Sequence, residues 1–111
     1  MNISYFNSKH SKSNRAVSIA GKSPAWFTGR EYKKLAPKFW FFKEYQENGD
    51  EDFYVEQYCK EVLSNLNAKD VYEELGEDAI LICWETPDRF CHRHIVAAWF
   101  KEELGVEVTE L

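Results

Sequence analysis

A chain of 111 residues is long enough for one compact domain with a single modest core. Apolar residues make up 44% and aromatics 16%, which excludes a disordered chain, and no apolar run approaches the roughly 20 residues of a membrane helix. The formal net charge is −5, and the acidic side of the balance argues against binding duplex nucleic acid.

The charge is unevenly spread. Residues 1–40 hold eight Lys or Arg against Glu31 alone, whereas residues 41–111 hold six against 18 acids. Either the two halves neutralise each other across solvated faces, or the N-terminal part lines a basic patch facing an anion. An odd number of cysteines, three, argues against a disulfide framework, so reduced thiols are expected. The start "MNISYFNSKHSKS" lacks the basic end and apolar stretch of a secretory signal, and the expected address is cytoplasmic.

Taken in chain order, "ISYF" (3–6) and "AVSIA" (16–20) read as short strands flanking a polar loop, residues 7–15. Pro24 and Pro37 suit helix starts, giving a short turn or helix near 24–35 and a helix from about Pro37 to Gln46. Asp50 caps a third element whose apolar stripe runs Val55, Tyr58, Cys59, Val62, Leu63 and Leu66, with Cys59 as core. "AKDVYEELG" is a shorter helix between Asn67 and Gly76. "DAILICWE" (78–85) is the clearest strand, apolar enough to be buried on both faces. A helix ending at Gly105 and a strand in "VEVTEL" complete a βαβ unit. The expected fold is a small three-layer α/β sandwich, one domain over residues 1–111, with a mostly parallel sheet of about four strands.

In such sheets ligands bind beyond the carboxyl ends of the strands, where Glu85 lies. The next helix opens with Cys91-His92-Arg93-His94, cations at an end whose dipole disfavours them. An anion docked on the free first-turn amides would offset that cost. The duller alternative pairs Arg93 with Glu85 or Asp88. Glu85 and Cys91 are the candidate catalytic residues. His92, Arg93, Ser18 and Lys22 are candidate anion contacts, and Trp26 and Tyr32 are candidates for stacking on a base. Cys83, Cys91, His92 and His94 are of metal-ligating type. However, the seven residues between the cysteines and the adjacency of Cys91 to His92 do not match zinc-site spacing, so no metal or other cofactor is expected.

The segment "ILICWETPDRFCHRHIVAAWFKEELGVEV" resembles the domain-of-unknown-function 488 family, in which a hydrophobic strand with Cys and Glu is followed by Cys-His-Arg opening a helix. The match falls on Cys83, Glu85, Cys91, His92 and Arg93, and "VSIAGKSPAWFTGREYKKLAP" is similar to the preceding segment of small relatives. Longer relatives carry an Asp-x-Arg after the first strand, which "SYFNSKH" lacks. The resemblance implies the fold and the site more than a reaction. The expected function is binding of a phosphate-bearing small molecule of the nucleotide type, with Glu85 as general base or nucleophile in a hydrolase or transferase reaction. The alternative is a non-catalytic module that sequesters an anion or docks a protein. Expected partners are the anionic ligand and no membrane, with a homodimer left open.

Overall fold

The computed structural model describes residues 1–111. Its centre is strand β4 (Ile80–Cys83), buried along its whole length. Strand β1 (Asn2–Tyr5) pairs with it in parallel, Asn2 opposite Ile80 and Tyr5 opposite Cys83. Strand β2 (Ala16–Ser18) pairs in parallel on its other side, Ala16 opposite Ile80. Two short edges, β3 (Arg30–Glu31) beside β2 and β5 (Thr109–Glu110) beside β1, complete a five-stranded, wholly parallel sheet ordered β3-β2-β4-β1-β5. The fold is thus α/β with a parallel sheet, one strand larger than expected.

Successive residues of a strand face opposite sides, and the core divides accordingly. Leu81 and Cys83 join Ile3, Val17 and Ile19 on one face, while Ile80 and Ile82 join Phe6, Ala16 and Ala20 on the other. The first face carries all four α-helices: α1 (Phe39–Asn48), α2 (Glu51–Glu61), α3 (Ala68–Leu75) and α4 (His92–Leu104). A 3₁₀ turn at Lys9–Lys12 touches β1, β2 and β4, and Phe27 packs on the second apolar cluster, so the third layer is thin. Handedness explains the division. Connections from β1 to β2 and from β2 to β3 run one way along the sheet, and those from β3 to β4 and from β4 to β5 run back. Right-handed crossovers in opposite directions must lie on opposite faces.

Local chemistry sets the helix limits. The Asp50 carboxylate accepts from the Phe53 amide at 3.1 Å, and Asn67 accepts from the Asp70 amide at 3.0 Å, capping α2 and α3. Gly49 and Gly105 end α1 and α4 with φ of 64° and 68°, a backbone state open to glycine at little cost.

Several expectations are corrected. Of residues 24–35, read as a short turn or helix, Lys33–Leu35 do form a 3₁₀ turn, but Arg30–Glu31 form the unexpected strand β3. The segment read as a polar loop, residues 7–15, contains the 3₁₀ turn Lys9–Lys12, in which the Ser8 hydroxyl accepts from the His10 amide and Ser11 is buried. The expected βαβ unit does form, with β5 parallel to β4 and β1 between them. Of the predicted stripe along α2 and the turn after it, Tyr58, Val62 and Leu63 are buried. Tyr54 rather than Cys59 completes the buried face and Val55 is only half-buried, because a second tyrosine ring buries more area than Val55 or Cys59. Cys59 is therefore exposed and free. Cys83 and Cys91, expected as reduced thiols, form a disulfide.

Candidate functional site

The chain leaves β2 toward one face of the sheet and β4 toward the other, so a crevice opens between their carboxyl ends. That is where a parallel sheet takes its ligand. A cleft of about 910 Å³ lies there. Its floor is Ala20, Gly21 and Lys22 after β2, with Cys83, Trp84 and Glu85 at the end of β4. The Trp84 indole N–H donates to the Lys22 carbonyl at 2.8 Å, holding the two strand ends in register. Phe39, Phe42, Tyr45 and Phe90 form the walls. Tyr45 and Phe90 pack at 5.3 Å between ring centres, with Tyr54 behind both.

The start of α4 closes the cleft. Cys91 is its cap residue but makes no side-chain cap bond, and of the first-turn amides only that of His94 is taken up, by the Cys91 carbonyl. The amides of His92 and Arg93 remain available. His92 is buried, and its Nε2 lies 2.7 Å from the Ile19 carbonyl oxygen. A carbonyl only accepts, so Nε2 carries the proton and Nδ1 keeps a bare lone pair, 3.8 Å from Cys91 Sγ. Burial drives the His92 pKa down to about 4, against the Ile19 bond that favours the proton, with Arg93 and His94 adding to the depression. His92 is neutral at pH 7.

The cations at the wrong end of the helix find their counterion inside the molecule. Arg93 is fully buried; its Nε donates to Glu110 Oε1 at 3.1 Å. Its Nη1 donates to the Glu85 carbonyl at 2.7 Å and lies 3.1 Å from Cys83 Sγ. Nη2 is 3.0 Å from the same Glu110 oxygen but off the hydrogen-bond axis, so Nη2 and Glu110 Oε2 are left without partners. His94 Nε2 approaches Glu110 Oε1 at 3.0 Å from the other side. The carboxylate that offsets these bases within the chain is Glu110 on β5, not Glu85 or Asp88.

The cleft thus unites Lys22, Glu85, Cys91 and His92 among the predicted residues, and does not take in the others. Arg93 is committed internally. Ser18 is buried beneath the loop, where the Ser23 hydroxyl sits 2.7 Å from both Ser18 Oγ and Glu31 Oε2. Trp26 packs edge-on against Phe6 on the opposite face. The Tyr32 hydroxyl donates to Glu74 at 2.5 Å, and burial together with that acid raises its pKa. Arg30 donates to the Leu75 carbonyl, away from the cleft. The aromatic walls were missed; the signal was "FWFF" at 39–42, too apolar for a helix with only Phe41 buried.

The family model DUF488-N3a, described as the active DUF488-N3 subclade, matches residues 11–104. The chain is a DUF488 protein. No curated protein and no solved structure matches it. The match takes in every element of the cleft, from the end of β2 to the first turn of α4, and stops before Glu110. In this DUF488 protein the Cys-His-Arg run therefore divides its tasks: Cys91 and His92 line the cleft, and Arg93 holds β5. No helix is long and apolar enough to cross a membrane.

Proposed function

We propose that the cleft binds a phosphate-bearing small molecule of the nucleotide class, and that Glu85 serves as general base or nucleophile in a hydrolase or transferase reaction on it. One observation carries the reading: an aromatic-walled crevice at the strand ends holds a lysine, an exposed carboxylate and a helix start with untaken amides. Flat apolar walls suit a base, and Lys22 with the His92 and Arg93 amides suits a phosphate. Since Arg93 is occupied, Lys22 takes over as the main charged contact. The Glu85 carboxylate makes no hydrogen bond or ion pair within the chain, which leaves it free for proton transfer or attack. The word active in the subclade's description accords with an enzyme.

Calorimetric titration with inorganic phosphate, a nucleoside and the matching nucleoside mono- and diphosphates tests this. The nucleotides should bind more tightly than either part alone, and Lys22→Ala should weaken them about 10-fold or more, the value of a charge-assisted hydrogen bond. Glu85→Gln should bind as well as the parent and turn nothing over. If no nucleotide binds at millimolar concentration, or Lys22→Ala changes nothing, the reading is overturned.

A further inference from the structure

The ligating atoms of Cys83, Cys91 and His92 lie within 4.8 Å of one another, and all three side chains are buried where they line the cleft. We propose that these three side chains, once the Cys83–Cys91 bond is reduced, form a zinc site in the cleft floor with its fourth position open to the cleft. The site stands independently of the anion reading.

The balance is simple. A cellular dithiol gives two electrons and two protons to the disulfide, yielding two thiols and its own disulfide. Zn²⁺ then displaces the two thiol protons to solvent, and two Zn–S bonds and one Zn–N bond form. Two thiolates cancel the charge of the ion, so the buried centre is neutral. Bonds of about 2.3 Å to sulfur and 2.1 Å to nitrogen place tetrahedral ligand atoms roughly 3.4–3.8 Å apart. The 3.8 Å between Cys91 Sγ and His92 Nδ1 already fits.

The surroundings fit as well. A histidine on a metal usually donates its other ring N–H to a carboxylate, a backbone carbonyl or water, which fixes the tautomer and aims the lone pair. The Ile19 carbonyl does this for His92. A buried guanidinium nitrogen lies 3.1 Å from Cys83 Sγ. A disulfide sulfur is a poor acceptor for that donor; a thiolate is a strong one. The spacing objection from the sequence also falls away. The turn from β4 into α4 returns Cys91 to the strand end, and extended backbone at Cys91 (φ −152°, ψ 147°) still leaves its side chain beside that of His92. With three protein ligands and one open position, the centre has the form of catalytic rather than structural zinc.

The test uses the full chain, reduced and kept under anaerobic conditions, with Co²⁺ alone as the probe. Expected are one Co²⁺ per chain, a thiolate-to-cobalt charge-transfer band, intense tetrahedral d–d bands, and displacement by Zn²⁺. Cys91→Ser and His92→Gln should each lower affinity at least about 100-fold, beyond the range typical of losing an outer partner. Cys59→Ser should change nothing, since Cys59 is exposed and stands outside the cluster. Should a variant not fold, alkylation of the parent chain decides: Zn²⁺ should shield Cys83 and Cys91 while Cys59 reacts. Absence of the charge-transfer band in reduced, folded protein, full affinity in His92→Gln, or no shielding by Zn²⁺ overturns the proposal. Nucleotide titrations on oxidised, metal-free protein remain a separate test of the anion reading.

Discussion

Replacing Arg93 by alanine should unfold a large share of this protein's stability. The side chain is fully buried, and its partner Glu110 is about one-quarter exposed. Alanine strands that carboxylate, frees the Glu85 carbonyl and leaves a void between β4, α4 and β5. Breaking a buried pair from one side costs about 3–5 kcal/mol. Small domains are stable by only about 5–15 kcal/mol, so this is a third or more of the whole for a typical case. With an unfolding entropy near 2.1 cal/mol/K per residue, the melting temperature of a chain this size should fall roughly 13–21 °C. Differential scanning calorimetry of ligand-free protein measures this directly. Pairing Arg93→Met with Glu110→Leu should recover most of the loss, since an apolar pair of similar volume costs little, and the cycle should show strong coupling. A fall within about 1 kcal/mol, accompanied by loss of anion binding, would refute the reasoning and return Arg93 to the ligand.

The neutral, buried His92 makes stability depend on pH. Its pKa is lowered from 6.5 to about 4 on folding, so the unfolded chain binds more protons between those values. The contribution is complete above pH 6.5 and is lost as pH falls toward 4, on the order of 3 kcal/mol in all. Urea unfolding at pH 7 and pH 4.5 should show a larger drop for the parent than for His92→Gln; equal drops would remove the effect. Without reductant, alkylation and mass spectrometry should find one reactive thiol, Cys59, and after reduction in urea three; two or three at the outset would contradict the Cys83–Cys91 bond. Tyr58→Phe deletes a buried hydroxyl that donates to the Leu35 carbonyl at 2.6 Å and should cost about 1–3 kcal/mol in chemical denaturation. An unchanged midpoint would mean that water or a shift of the chain satisfies the carbonyl.

What the sequence discloses and what it conceals follow one physical division. Elements fixed by their own residues are legible. The run Ile80–Cys83 is apolar because it is buried on both faces, and Asp50, Asn67 and Gly105 mark helix limits through bonds to atoms a few residues away. β3 is not legible, since Arg30 and Glu31 are both exposed and their strand geometry comes wholly from pairing with β2. The order of strands is equally hidden; β5 lies beside β1 through contacts across more than 100 residues.

The start of α4 shows why a correct anomaly can yield the wrong partner. Bases at a helix N-terminus do require a compensating anion, and that much follows from the local sequence. The local sequence offers a ligand, Glu85 or Asp88 for that role, and none of them is the partner Arg93 takes. The fold instead delivers Glu110, 17 residues away, by running β5 past β1 until its side chain meets the guanidinium. Once that charge is settled internally, the features left over at the helix start are the two untaken amides, Lys22 across the floor, and the sulfur pair with a bare imidazole nitrogen. An anion and a soft cation are thus offered adjoining places. The open fourth position of a zinc ion bound there faces the same cleft as Glu85, so bound metal would place its open position where the nucleotide is proposed to bind. Zinc should then alter nucleotide affinity measurably. Titrating the nucleotide into reduced protein with and without Zn²⁺ should give different dissociation constants; equal values would show the two sites to be independent.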